Sequence, residues 1–257
     1  MFGRDPVPKK VRTLLSAIEA LPRGARRHGG VDAICREFAS LVDHTLLKPE
    51  AMPEDVLRLC DEGARWGFAA VVVNPCYVRL AAERLRKTGL RVASVAGFPL
   101  GASRPDVKRR EAERALEDSA SEVDMVLAIG RLRAGDLAAV EEDIHGVAEA
   151  CRKRRALLKV ILECALLTDE RKRAGAQVAV RAGAQFVKTS TGFGPAGATA
   201  EDVALLRATV GSKIGVKAAG GIRTLADAVR MLAAGASRIG TSSGVSILEE
   251  LRVLCGE

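Results

Sequence analysis

The sequence predicts a single α/β domain with the fold of a (βα)8 TIM barrel, preceded by a short helical N-terminal extension. Short runs rich in β-branched residues alternate with longer segments whose apolar residues recur at helical spacing, which is typical of parallel strands joined by crossover helices. Eight such runs are present, and a chain of 257 residues has the usual length for this fold. The runs span residues 41–46, 69–73, 92–97, 122–128, 157–163, 186–189, 214–218 and 238–240.

Local signals predict the ends of several intervening helices. Thr168, Thr199 and Thr224 each precede a segment with at least one acidic residue in its first three positions, as helix N-cap residues do. Gly183 and Gly235 each stand between two alanines just before a predicted strand. Glycine in that position favours the end of a helix and a turn into the next strand, here the sixth and the eighth.

The first 40 residues precede the first predicted strand. Their pattern favours two short helices separated by Pro22-Arg23-Gly24. We therefore divide the chain into an N-terminal helical extension, residues 1–40, and a barrel domain, residues 41–257. The apolar stretches of the extension are too short and too often interrupted by charge for a signal sequence or a membrane span, so we expect no membrane association.

The basic balance of the chain limits its partners. Forty lysines and arginines against 32 acidic residues give a net charge of +8, which could indicate a nucleic-acid surface. The basic residues are scattered among acidic ones, however, and only 3% of the residues are aromatic, too few for a platform on which bases stack. We expect no nucleic-acid partner and interpret the charge as an attraction for anionic metabolites.

Metal sites and disulfides are not indicated by the cysteines and histidines. The six cysteines include no CxxC pair, which is typical of reduced thiols in a cytoplasmic protein. His28, His44 and His145 stand alone and match no metal-ligand spacing. We therefore expect no metal. Of the three histidines, only His44 is a candidate for a role at the site, because it lies at a strand end.

Two lysines interrupt apolar strands at the end of the barrel where chemistry takes place. Lys188 ends the sixth run and Lys217 lies near the end of the seventh, and lysine is seldom buried without a partner or a function. If both point inward, each disfavours protonation of the other, and burial acts in the same direction. One amine would then be neutral and able to form an imine with a carbonyl. The alternative is that a lysine reaches solvent or pairs with Asp124 or Glu163.

Other polar residues fall at or near the same end of the predicted barrel. Asp124, in the fourth run, is a candidate counter-ion that could carry protons for carbinolamine dehydration and for deprotonation next to the imine. It could instead be only a buried ion-pair partner of Lys159 or Lys217. The residues in supporting positions, on or next to the first, second and fifth runs, are Asp43, Asn74, Lys159 and Glu163.

The loops after the seventh and eighth runs favour phosphate binding. They read AGGIR (219–223) and GTSSG (240–244), and in barrels these loops bind phosphate through backbone amides and a helix N-terminus. The alternative is that the glycines serve turns and a serine caps a helix. The candidate contacts for substrate and phosphate are Thr191, Gly192, Gly220, Gly221, Ser242 and Ser243.

Taken together, six motifs resemble those of deoxyribose-phosphate aldolases. They are LVDHTLLKP (41–49), GFPLG (97–101), EVDM (122–125), KTSTGF (188–193), VKAAGGIR (216–223) and IGTSS (239–243), in the order of the family. The resemblance implies a class I aldolase that reversibly cleaves 2-deoxy-D-ribose 5-phosphate to acetaldehyde and D-glyceraldehyde 3-phosphate in deoxyribonucleoside catabolism. It implies no metal and no other cofactor, and it is compatible with a homodimer or a higher homo-oligomer.

The resemblance also implies roles for single residues. Lys188 would form the imine, Asp124 and Lys217 would donate and accept protons, and the glycine and serine loops would hold the phosphate. Two departures are visible, because Val72 stands where many relatives have cysteine and the extension has no counterpart that we can assign. From the residues alone, two other classes remain open. A barrel isomerase would need a glutamate or histidine base, and a non-catalytic binder of sugar phosphates or nucleic acid would need no nucleophilic lysine.

Overall fold

Eight parallel strands close into a barrel in which each strand pairs with its neighbours in sequence and β8 pairs with β1. The computed structural model describes residues 7–20 and 31–254. The strands are β1 (Val42–Leu46), β2 (Ala70–Val73), β3 (Arg91–Ala96), β4 (Glu122–Val126), β5 (Leu157–Ile161), β6 (Phe186–Lys188), β7 (Gly215–Ala219) and β8 (Arg238–Thr241). The predicted fold class is confirmed, and no predicted strand end differs from the observed one by more than two residues.

Helices lie between the strands and cover the outside of the barrel. In the described ranges they are α1 (Lys9–Glu19), α2 (Val31–Ala39), α3 (Pro53–Trp66), α4 (Val78–Leu85), α5 (Pro105–Glu117), α6 (Ile129–Ala134), α7 (Leu137–Lys153), α8 (Asp169–Arg181), α9 (Ala200–Val210), α10 (Leu225–Ala233) and α11 (Gly244–Leu254). Short 3₁₀ turns, Pro75–Tyr77 and Cys164–Leu166, follow β2 and β5. None of these helices is both long and apolar enough to cross a membrane.

The helix ends follow the predicted signals. The hydroxyls of Thr168, Thr199 and Thr224 each accept a hydrogen bond from a backbone amide of the following helix, at 3.3, 3.1 and 3.1 Å. Gly183 and Gly235 have φ angles of 104° and 110°, a left-handed conformation that glycine adopts without steric cost. These residues turn the chain from α8 into β6 and from α10 into β8, as the sequence predicts.

The N-terminal segment includes two helices that pack against the barrel. Val11, Leu14 and Ile18 of α1 are buried, as is Phe38 of α2, and all belong to the main apolar core. Helix α1 contacts α10, and α2 contacts α11. Residues 22–24, predicted to separate the helices, and His28 lie outside the described residues. The division of the chain at residue 40 stays a prediction.

Candidate active site

The register of the strands places two lysines side by side inside the barrel. Lys188 ends β6 and is the direct partner of Lys217 on β7, and both side chains are buried. Their Nζ atoms donate hydrogen bonds to the same oxygen, Oδ2 of Asp124, at 3.0 and 2.8 Å. The structure thus brings together all three residues for which the sequence suggested catalytic roles.

Asp124 is the centre of this cluster. It lies on β4 with no exposed surface, and its second oxygen, Oδ1, accepts a hydrogen bond from Lys159 on β5 at 2.7 Å. Burial alone would raise the pKa of Asp124, but the ammonium groups of Lys159, Lys217 and Lys188 together hold it well below its ordinary value. Asp124 is therefore a buried ion-pair partner, the alternative left open by the sequence, and its carboxylate contacts all three amines.

Lys188 has an amine that loses its proton easily. Burial lowers its pKa to about 8, and the neighbouring ammonium groups of Lys217 and Lys159 act in the same direction against the attraction of Asp124. A substantial fraction of such an amine is neutral near physiological pH. The neutral amine is the form that attacks a carbonyl carbon.

Asp43 and Lys159 extend the cluster below the lysine pair. The Oδ2 atom of Asp43 lies 2.5 Å from the Nζ of Lys217, and its Oδ1 lies 2.6 Å from a guanidinium nitrogen of Arg238. Lys159 lies 2.6 Å from the carboxylate of Glu122. Glu122 and Arg238 were not predicted from the sequence as members of this cluster. The available signal was the two-residue alternation of a strand, which places Glu122 on the same face as Asp124.

Glu163 takes a different position from the predicted one. It does not belong to β5, which ends at Ile161, but follows it in a left-handed conformation with φ 58°. Its Oε2 accepts hydrogen bonds from the Thr191 backbone amide at 3.3 Å and from the Thr191 hydroxyl. Glu163 therefore holds the loop after β6, and the carboxylate that pairs with Lys188 is Asp124.

Asn74 supports the loops next to the site. It follows β2, and its side-chain nitrogen donates to the backbone oxygens of Leu47 and Lys48 at 3.3 and 3.4 Å. The contact ties the loop after β1 to the loop after β2. Asn74 does not line the cavity that contains Lys188.

A cavity of about 350 Å³ opens above Lys188 at the carboxyl ends of the strands. Its polar wall includes Thr191, Gly192 and residues of the loops after β7 and β8, namely Gly220, Gly221, Arg223 and Ser242. Gly220 and Gly221 have φ angles of 88° and 75°, which L side chains rarely adopt. Ser243 lies beside the cavity but does not line it, and its backbone amide donates to the Thr241 hydroxyl at 2.9 Å.

The cavity lining also has an apolar part. Leu46, Leu47, Phe193 and Ile222 contribute to it. Phe193 is half-exposed and meets Phe98 edge to face, with ring centroids 5.4 Å apart. The cavity thus offers the amine of Lys188, polar groups suited to an anion and apolar side chains suited to a short carbon chain.

His44 lies outside this cavity, on the outer face of β1. Its Nε2 is 2.7 Å from a carboxylate oxygen of Glu62, and its ring packs on Phe68 with centroids 4.9 Å apart. Burial lowers the pKa of His44, although the contact with Glu62 opposes this shift. His145 is exposed on α7. In the described ranges, no group of three or more histidine, cysteine, aspartate or glutamate side chains is arranged to hold a metal ion.

The fold and this site define a class of protein, the (βα)8-barrel enzymes with a reactive lysine at the carboxyl end of the barrel. The family follows from sequence comparison. Residues 38–250 match the model of the DeoC/LacD family of aldolases, and the chain belongs to this family. It is therefore an aldolase, a carbon–carbon lyase, as the motifs indicate.

Relatives and solved structures agree with this assignment. A deoxyribose-phosphate aldolase of Geobacillus sp. is 53% identical over 212 residues, which cover 82% of this chain and 95% of the relative. One from Thermococcus gammatolerans is 54% identical over 218 residues, 84% of this chain and 97% of that protein. The structure of deoxyribose phosphate aldolase from Aeropyrum pernix, described as tetrameric, superimposes with a TM-score of 0.82 at 35% identity, covering 95% of this chain and 98% of that one.

Proposed function

We propose that this aldolase reversibly cleaves 2-deoxy-D-ribose 5-phosphate to acetaldehyde and D-glyceraldehyde 3-phosphate through an imine on Lys188, in deoxyribonucleotide catabolism. The observation that carries the proposal is the pair of lysines on one oxygen of Asp124, at the floor of a cavity with glycine-rich walls. The substrate named by the relatives has both features that this cavity suits, an aldehyde and a phosphate.

The reaction begins when the neutral amine of Lys188 attacks C1 of the open-chain sugar. The carbinolamine loses its hydroxyl as water and becomes a protonated imine. Removal of the proton from the C3 hydroxyl then breaks the C2–C3 bond, and the bonding electrons move toward the imine to form an enamine. Glyceraldehyde 3-phosphate leaves, C2 takes up a proton, and water releases acetaldehyde and the free amine.

Asp124 and Lys217 donate and accept the protons in this sequence. Their contact of 2.8 Å allows a proton to pass between them, and Lys188 lies 3.0 Å from the same oxygen. Lys159 and Asp43 hold this pair from below through contacts of 2.7 and 2.5 Å. Because the imine accepts the electrons, the chemistry needs no metal and no other cofactor.

The phosphate binds at the polar wall of the cavity. Gly220 and Gly221 let the backbone approach an anion closely, Ser242 adds a hydroxyl, and Arg223 adds positive charge. Thr191, held by Glu163, and Gly192 face the carbon chain between amine and phosphate. Ser243, the residue before α11, supports this wall by donating its backbone amide to the hydroxyl of Thr241, which lines the cavity.

The setting of the enzyme follows from its chemistry and its relatives. We assign it to the cytoplasm, where deoxyribonucleotides are degraded and where its cysteines stay reduced. The tetramer described for the Aeropyrum pernix relative supports a homo-oligomer. Neither nucleic acid nor a membrane is a partner in this proposal.

A cleavage assay tests the proposed function. Purified protein in EDTA-containing buffer should release glyceraldehyde 3-phosphate from 2-deoxyribose 5-phosphate. The release is measured by a coupled enzymatic reduction of this product. Lys188→Met should abolish the release, whereas Lys213→Met, at an exposed lysine before β7, should retain it. Binding of the sugar phosphate without cleavage would instead indicate a non-catalytic binder, and activity lost in EDTA would contradict the metal-free mechanism.

A further inference from the structure

Six charged side chains form a closed ring of ion pairs in the interior of the barrel. In order around the ring they are Glu122, Lys159, Asp124, Lys217, Asp43 and Arg238. The successive nitrogen–oxygen distances are 2.6, 2.7, 2.8, 2.5, 2.6 and 3.6 Å. All six side chains are buried. Acidic and basic groups alternate, so three negative and three positive charges cancel.

Lys188 is not a member of the ring, and its charge is not among those that cancel. Its only ion-pair partner among the described residues is Asp124, which already faces the ammonium groups of Lys159 and Lys217. A proton on Lys188 therefore adds one uncompensated positive charge to a buried, otherwise neutral cluster, and such a charge is costly. Glu163, a buried carboxylate of the loop after β5, is turned to Thr191 instead.

We propose that Glu122 and Arg238 are positioning residues that set the protonation of Lys188 through the ring. The proposal rests on the proposed role of Lys188 as the imine-forming amine. Neither residue is an ion-pair partner of Lys188. Glu122 acts through Lys159, at 2.6 Å, and Arg238 acts through Asp43, also at 2.6 Å.

The contacts of the two residues fit this role. Arg238 is held between the carboxylates of Asp43 and Glu122, with its guanidinium 5.6 Å from the centre of the Phe186 ring. Glu122 also contacts Arg91 at 3.2 Å, but the Arg91 side chain is half-exposed, so water screens its charge. The charge that acts on Lys188 therefore comes mainly from the six buried members of the ring, and Arg91 adds little to it.

Removing one member of each sign should move the pKa of Lys188 in opposite directions. Glu122→Gln leaves the ring with an excess positive charge, which makes Lys188 harder to protonate and lowers its pKa. Arg238→Gln leaves an excess negative charge and raises the pKa of Lys188. We expect a shift of about one unit in each case, as for charges interacting through a partly shielded interior. If Glu122 and Arg238 had only a structural role, both substitutions would destabilise the protein but would not shift the pKa of Lys188 in opposite directions.

The pKa of Lys188 can be measured directly, without reference to catalysis. Lysine labelled with carbon-13 and nitrogen-15 gives an NMR signal for each side chain, and the signal missing in Lys188→Met identifies Lys188. Titration of this signal toward alkaline pH in the full-length protein yields the pKa for the wild type and each variant. Arg238→Lys, which keeps the charge, should restore the wild-type value.

A buried ion pair outside the barrel supplies the matched control. Lys108 of α5 and Asp143 of α7 lie 2.7 Å apart and are as buried as the members of the ring. Asp143→Asn should lower stability and leave the pKa of Lys188 unchanged. If Asp143→Asn shifts the pKa of Lys188 as much as the two ring variants do, the proposal is overturned. Removal of any buried charge would then have the same effect on Lys188.

The outcomes separate this proposal from the proposed function. A lower pKa of Lys188 in Glu122→Gln together with a higher pKa in Arg238→Gln supports this proposal. Shifts of the same sign in both variants, or no shifts, overturn it. If Arg238→Gln does not fold, Glu122→Gln alone decides, since an unchanged or raised pKa contradicts the proposal. If the shifts occur but the wild type forms no imine with acetaldehyde, the ring stands and the proposed function fails.

Discussion

Lys188 and Lys217 donate hydrogen bonds to a single oxygen of one carboxylate, but they do not share their other contacts. Lys217 also lies 2.5 Å from Asp43, whereas in the described part of the chain Lys188 has only the shared oxygen as an ion-pair partner. Because like charges this close disfavour each other, the amine with fewer anionic partners releases its proton first. This asymmetry supports Lys188 as the nucleophile and Lys217 as a proton carrier.

The first prediction concerns pH. The pKa of Lys188 is lowered to about 8, and the neutral amine is the reactive form, so activity should rise with pH and level off above that value. Below the pKa, kcat/KM for cleavage should increase about tenfold per pH unit, since this ratio reports the ionisation of the free enzyme. A profile of kcat/KM against pH checks this. If kcat/KM does not change with pH below about 8, the ionisation of Lys188 does not limit the activity.

The second prediction concerns Lys217→Leu. The variant should lose proton transfer and raise the pKa of Lys188, because the ammonium of Lys217 disfavours a proton there. We expect kcat to fall about 100-fold or more while KM changes little. Steady-state kinetics measures both. As a control, Lys172→Met, which removes a lysine of α8 paired with Asp202 at 2.6 Å, should keep its kcat. Unchanged turnover in Lys217→Leu would remove that residue from the mechanism.

The agreement between sequence and fold comes from local signals. Runs of β-branched residues determine the strands, and the cap residues Thr168, Thr199 and Thr224 bond to amides only three positions away. Such signals are complete within a short stretch of chain. The adjacency of Lys188 and Lys217 was also predictable, because both lie near the ends of consecutive parallel strands.

The contacts that were missed join distant parts of the chain. Arg238 meets Asp43 across 195 positions in sequence, and a charged residue at the start of a strand gives no sign of which face it takes. Only the closure of the barrel by β8 and β1 brings these two together. Glu163 was misplaced because its left-handed conformation ends the inward alternation of β5, which the sequence pattern does not reveal.

The third prediction tests the phosphate wall. Ser242 lines the cavity, so Ser242→Glu should raise KM for the phosphorylated sugar about tenfold or more through repulsion between like charges. Unphosphorylated deoxyribose should be affected far less. The control is Ser246→Glu, which places the same charge at an exposed position in the first turns of α11. Equal losses for both sugars would place the phosphate elsewhere.

The fourth prediction concerns Val72, which is fully buried on β2 in an apolar cluster with Leu47. A thiol near a reactive amine ionises more easily and reacts with electrophilic aldehydes, whereas valine cannot react. Val72→Cys should therefore lose activity faster than the wild type in concentrated acetaldehyde. Cys76 is exposed, so both proteins should carry Cys76→Ser, whereas Cys164, whose pKa is raised by burial, is the same in both proteins.

Residual activity after matched exposure, with mass spectrometry of the cysteines, decides this comparison. An adduct at position 72 of the variant together with faster inactivation is the expected result. Equal inactivation without an adduct would show that the valine serves packing alone.

Trapping of the imine tests whether Lys188 is the residue that reacts with the aldehyde. The protein is incubated with acetaldehyde and borohydride, digested, and searched by mass spectrometry for a lysine that carries a two-carbon label. We expect labelling of Lys188, loss of activity in proportion to labelling, and no label in Lys188→Met. A label on Lys217, with activity retained in Lys188→Met, would contradict this expectation and reverse the roles of the two lysines.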